Sequence, residues 1–140
     1  MIILDSNVVS ELMRPRPEER VIAWLDRQAR SSLWTTSVTV LEIRFGLQIM
    51  PSGKRRDVYA QGFETLLEEI DHRIASFDVE SAEHASALMA SRKVQGRPRE
   101  DRDTMIAGIV LARRAALATR NISHFDDLSA TLVDPWDASA

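Results

Sequence analysis

No cysteine occurs in the 140 residues, which excludes disulfides and thiolate metal sites and suits a reducing cytoplasm. Long hydrophobic runs are missing too. No stretch approaches the ~18 apolar residues of a membrane span, so no membrane attachment is expected. The first four residues, Met1 to Leu4, are apolar and an acid follows. A secretory signal needs a basic start and a longer apolar stretch, so a cytoplasmic protein is expected. Lysine is scarce: of 18 basic residues only Lys54 and Lys93 are lysine. Arginine makes planar, bidentate contacts to phosphate or carboxylate, but a GC-rich coding sequence produces the same bias, which decides nothing. There is also no excess of positive charge. The net charge of −3 looks wrong for a nucleic-acid binder, unless a bound divalent cation offsets several acids locally.

With 44% hydrophobic residues the chain can bury a core, and nothing in it marks a repeat or a linker, so residues 1–140 are expected to form one domain. Met1 to Leu4 reads as a strand buried on both faces. A short helix carrying Val8, Val9 and Leu12 follows, with Ser6 as its cap, and Arg14-Pro15-Arg16-Pro17 ends it. Glu18 to Ala29 is predicted helical, and Ser32 to Ser37 a short strand around Leu33-Trp34-Thr35-Thr36. Ser37 is predicted to cap a helix with Val40, Leu41, Phe45, Leu47 and Met50 on its apolar face, closed by Pro51-Ser52-Gly53. Further helices are expected over 54–71, 80–94 (Ala82, Ala85, Leu88 and Met89 inward) and 101–114. Strands are expected over 73–77, 116–119 and 130–133. Strands alternating with helices pair in parallel through right-handed crossovers. The expected fold is a three-layer α/β/α sandwich around a parallel sheet of about five strands.

In open parallel sheets, ligands bind at the carboxyl ends of the strands. Asp5 stands where the first apolar run stops. Glu42 lies in the first turns after the second strand, among Val38, Leu41 and Phe45. Asp103 lies in the first turn of the helix that buries Ile106, Ala107 and Val110, where Asp101 is assigned the capping role. Each acid alone has an ordinary explanation as a cap or a surface charge, but three at one sheet edge do not. Clustered carboxylates raise one another's pKa unless a cation compensates. Oxygen ligands without His or Cys point to Mg²⁺ or Mn²⁺, and such ions promote phosphodiester hydrolysis.

These residues carry a resemblance. The segments Ile3-Leu4-Asp5-Ser6-Asn7, Ser37 through Glu42 to Gly46, Asp103-Thr104-Met105-Ile106-Ala107 and Ala118-Thr119-Arg120-Asn121, with His124-Phe125 and the terminal Asp134-Pro135-Trp136, resemble PIN-domain ribonuclease toxins of the VapC/FitB type. The resemblance spans essentially the whole chain. It implies a toxin of a type II toxin–antitoxin system, a Mg²⁺- or Mn²⁺-dependent endoribonuclease. Asp5, Glu42 and Asp103 would form its metal-binding triad, and Ser6, Asn7 and Thr119 would support the site by hydrogen bonding. It further implies a cognate antitoxin, a homodimer, and an antitoxin complex on operator DNA.

The chain departs from the family at the fourth acid. Asn121 stands where many relatives carry Asp, and His124 where others have Asp before Phe; Asp126 follows closely. An amide can ligate a cation but brings no charge. That departure keeps a second reading, a weakly active or inactive module that only binds antitoxin or RNA. His124 reads as a surface or capping residue rather than a base, because a cation-activated water needs none. Arg14, Arg16, Arg97 and Arg99, on loops near the crevice, are candidate RNA phosphate contacts. Other enzymes fit worse. A haloacid-dehalogenase-like phosphatase wants an acid where Asn7 stands, and a receiver domain built on Asp78 lacks its late lysine.

Overall fold

Successive residues of the first strand point into different apolar layers, and that alternation sets the architecture. In the computed structural model, which describes residues 1–137 and 139–140, strand β1 (Ile2–Leu4) sends Leu4 into one core and Ile3 into the other. Strands β2 (Leu33–Thr36), β3 (Ile74–Ala75), β4 (Ala116–Ala118) and β5 (Leu132–Val133) complete a parallel sheet in the order β3-β2-β1-β4-β5. Ile2 lies beside Leu33 on one side and Ala116 on the other.

Helices cover both faces, as parallel strands require. Helices α1 (Ser6–Leu12), α2 (Glu19–Asp26), α3 (Ser37–Ile49) and α4 (Lys54–Glu69) pack Val8, Trp24, Leu47 and Phe63 against one face. Helices α5 (Val79–Val94) and α6 (Asp101–Arg113) cover the other, where Ile106, Ile109 and Val110 are fully buried. The expected three-layer α/β sandwich is what the chain forms.

Local details differ from the sequence expectations. Asp5, not Ser6, caps α1: its Oδ1 accepts from the Ser6 N–H at 2.8 Å. Thr36, not Ser37, caps α3, accepting from the Thr39 N–H at 3.0 Å. Glu100 takes the capping position of α6 without a side-chain bond, and Asp101 is already helical. In both true caps the last strand residue or its neighbour turns directly into the helix, so the side chain one step earlier meets the free N–H groups. Leu41 and Phe45 do not face the core. The buried stripe of α3 is Val38, Thr39, Ile43 and Leu47, and Leu41, Phe45 and Ile49 form an outward stripe, 59%, 55% and 66% exposed. Met89 likewise faces outward on α5. The edge strands are shorter than expected, two residues each, and α2 ends at Asp26.

Because Thr36 is fully buried and its Oγ1 also donates to Thr39 Oγ1 (3.3 Å), the cap is part of a hydroxyl chain. Thr36→Val keeps the volume and removes the cap. It is expected to lower stability by about 1–2 kcal/mol, read from urea denaturation.

Candidate active site

The sheet order reverses at β1. The chain runs outward through β2 and β3, then returns to place β4 on the other flank of β1. The crevice at such a reversal is where an open parallel sheet presents a ligand, and β1 ends there at Asp5. Its N–H bonds Ala118 O at 2.9 Å, which extends the ladder by one residue and fixes the side chain over the crevice.

Asp5 is only 3% exposed. One oxygen accepts from the Ser6 N–H; the other accepts from Thr119 Oγ1 at 2.7 Å and Asn7 Nδ2 at 3.2 Å. All three donors are neutral. Burial therefore dominates and raises the Asp5 pKa to about 6, with Asp103 and Glu42 adding to the rise. Glu42 reaches the crevice from the first half of α3. It accepts from Ser6 Oγ at 2.8 Å, which is itself 3.0 Å from Thr39 Oγ1. Its pKa is raised as well, chiefly by burial, against the opposing Ser6 bond and the Arg102 charge. Asp103, in the first turn of α6, lies 3.0 Å through Oδ2 from His124 Nδ1.

The structure thus draws Asp5, Glu42 and Asp103 to one end of the sheet, with Ser6, Asn7 and Thr119 bonded among them. Asn7 also bonds Thr119 Oγ1 (3.3 Å) and accepts from the Arg120 N–H (3.1 Å), so it ties the end of β1 to the end of β4. Asn121 is exposed beside this junction, its N–H donating to Thr119 Oγ1 at 3.0 Å.

Asp126 is not part of the cluster: its Oδ1 accepts from Arg99 Nη2 at 2.9 Å on the solvent side. Arg99 itself is no free phosphate contact. It also donates to Ser123 O at 2.9 Å and is mostly covered. Arg14 pairs with Glu11 at 3.3 Å, whereas Arg16 and Arg97 are exposed. His124 is a surface residue, half exposed, and bonds an acid of the cluster. Trp24 is core, and Trp136 packs under Arg120, whose guanidinium lies 4.8 Å from its ring centroid.

Two residues escaped sequence reasoning. Arg102 stands 4.0 Å from Glu42 and 3.0 Å from Glu100, and brings a positive charge to the rim. Arg92 is 2% exposed inside the α5–α6 layer. The spacing Ala85, Leu88, Arg92 placed it on the buried stripe, but arginine is read as surface by default.

The donor set is all carboxylate, hydroxyl and amide oxygen apart from the His124 ring, which fits a hard divalent cation. Among the described residues, no three His, Asp or Glu side chains are gathered tightly enough to grip an ion as they stand. Each acid is instead held by its own donors.

A family model described as the PIN domain matches residues 2–130. VapC ribonuclease Y4jK of Sinorhizobium fredii is 36% identical over 98% of this chain and 99% of its own length. Toxin FitB of Neisseria gonorrhoeae is 32% identical over 97% and 99%. Among solved structures, FitAcB from Neisseria gonorrhoeae superposes with a TM-score of 0.87 at 32% identity, covering 97% of this chain and 99% of that one. FitAB bound to the IR36 DNA fragment gives 0.87 at 31%, covering 98% and 96%. With the acids at the sheet reversal, the matched length and the likeness to these structures in agreement, the chain belongs to the PIN domain family.

Proposed function

We propose that the chain, residues 1–140 acting as one unit, is the toxin of a type II toxin–antitoxin pair and a Mg²⁺- or Mn²⁺-dependent endoribonuclease. One observation carries this reading: a buried carboxylate, Asp5, faces two further acids with only neutral donors around it. Such an arrangement is costly without a cation and useful with one.

Asp5, Glu42 and Asp103 would hold the cation, and Asn121 offers an amide oxygen at the fourth corner. Bound there, the cation supplies positive charge against a phosphodiester and activates water for attack. Ser6, Asn7 and Thr119 keep the Asp5 and Glu42 oxygens aimed at the crevice. Arg102 at the rim, with Arg16 and Arg97 free in solvent, would draw the RNA backbone in. Unpaired RNA segments fit best, because an exposed crevice with no groove-reading element selects by shape and access. Cleavage of single-stranded RNA with Mg²⁺ or Mn²⁺ that stops on chelation is the deciding experiment. An uncut RNA under those conditions would favour the second reading, a binding-only module, for which the neutral Asn121 speaks.

The partner surfaces are helical. An apolar groove of about 270 Å³ between α1, α3 and α4, lined by Met13, Ile43, Leu47, Met50 and Tyr59, runs to Glu42 and would seat the antitoxin over the acids. FitAB, one of the similar solved structures, is bound to the IR36 DNA fragment. The outward stripe Leu41, Phe45 and Ile49 is the face a second copy would cover. Phe45→Glu is therefore expected to turn a dimer into a monomer in sedimentation velocity, with the far-UV circular dichroism unchanged.

A further inference from the structure

The turn after β4 is held from inside the protein to a degree its length does not explain. It is a single 3-10 turn, Ile122–Phe125, continuing into Asp126 and Asp127. Arg99 donates to Ser123 O at 2.9 Å and to Asp126 Oδ1 at 2.9 Å. Arg92 donates to His124 O at 3.3 Å, and its Nε and Nη2 form a two-pronged pair with Asp127, each bond 2.9 Å. Phe125 is fully buried. The remaining arm of Arg92, Nη1, donates to Thr104 Oγ1 at 2.8 Å, next to Asp103. One buried guanidinium thus links α5, the first turn of α6 and the turn that bears His124.

Removing one partner of such a pair destabilises, but the intact pair is no gain over apolar packing. Apolar replacements of buried ion pairs are often neutral or better, so what the pair adds is a fixed geometry. The group whose geometry it fixes is His124. Its ring is half exposed, and an exposed pair of this kind contributes little by itself. With its proton on Nδ1 the ring donates to Asp103 Oδ2, 3.0 Å away. That bond engages one oxygen of the carboxylate, Oδ2, and so fixes its orientation.

We propose that the Arg92–Asp127 clamp positions His124 on Asp103, making His124 and Arg92 positioning residues for the acidic site. The consequence for cation binding rests on the nuclease reading above; the clamp itself does not. Outer partners of this kind typically change metal affinity about 10- to 100-fold.

The test combines two readouts on the full chain. Nitrogen-edited NMR of the histidine rings at neutral pH is expected to show His124 protonated on Nδ1, and Asp127→Asn is expected to return it to the Nε2–H form of a free imidazole. Calorimetric titration with Mn²⁺ is expected to show about 10-fold weaker binding in Asp127→Asn and equally in His124→Ala. The double variant should lose no more than either single one, because the two act as a unit. Val21→Ala, a core change in α2 far from the clamp, should lower the melting temperature and leave Mn²⁺ affinity unchanged. An unaltered His124 ring in Asp127→Asn, multiplying losses in the double variant, or an equal loss in Val21→Ala would each overturn the clamp. Wild-type protein with the Nδ1–H signature but no Mn²⁺ binding would instead sink the nuclease reading and leave the clamp standing.

Discussion

Asp5→Asn is expected to lower cleavage of single-stranded RNA by more than about 100-fold, since even outer partners of a metal ligand are worth about 10–100-fold. The same change should raise the melting temperature of the cation-free protein. Burial holds the folded Asp5 pKa near 6 against an ordinary 3.8. Ionising it in place therefore costs roughly 3 kcal/mol at neutral pH, taking 1.36 kcal/mol per unit. Asparagine removes that cost, though its amide meets the Asn7 and Thr119 donors with one acceptor fewer, so the net gain will be smaller.

The sign follows from proton binding. Between pH 3.8 and about 6 the folded chain holds a proton on Asp5 that the unfolded chain has released. Stability of the cation-free wild type thus falls as pH rises through that window, and Asp5 contributes no further change above it. Urea midpoints from pH 4 to 7 should show this fall in the wild type and lose that component in Asp5→Asn. Added Mg²⁺ should raise the wild-type melting temperature and leave the variant's nearly alone. Asp103→Asn should give less relief, because Asp103 already has His124 as a partner.

The second large effect is expected at Gly108, in the middle of α6. A Cβ there would stand 2.4 Å from the Ser81 carbonyl oxygen and 2.9 Å from the Ala85 Cβ on α5. Backbone cannot swing aside as a flexible side chain can, so α5 and α6 would have to part. Alanine is the better helix former by about 1 kcal/mol, yet overpacking of this kind typically costs about 1–3 kcal/mol and here involves main chain. We expect Gly108→Ala to lower the melting temperature by roughly 5–10 °C. RNA cleavage should fall with it, since α6 carries Asp103 and Thr104 while α5 carries Arg92. A variant as stable as wild type would mean the two helices are not in close contact.

Why part of this was legible in the sequence and part was not is visible in single residues. Ile2, Ile3 and Leu4 announced a strand buried on both faces, and the acid after them marked its end. The same logic located Glu42 and Asp103 near the sheet edge. Caps were missed by one residue because a threonine or aspartate ending a strand already faces the next helix. The face of α3 differs from the expected one because Leu41 and Phe45 carry the same hydrophobic signal as core residues while pointing out; pattern alone does not tell a core stripe from an exposed one. Arg92 was invisible for the opposite reason, a charged side chain whose partners, Asp127 and Thr104, are distant in sequence. Arg99 and Asp126, two candidate site residues, are bonded to each other, a pairing that their spacing in the sequence does not announce.

The two-residue borders of the sheet limit how this chain can meet other proteins. An incoming strand needs a row of free main-chain groups to pair with, and β3 and β5 offer almost none. Growth by strand addition, and the fibrous aggregation that follows from it, is closed off at both margins. Association is left to the helical layers, where side-chain shape and charge choose the partner.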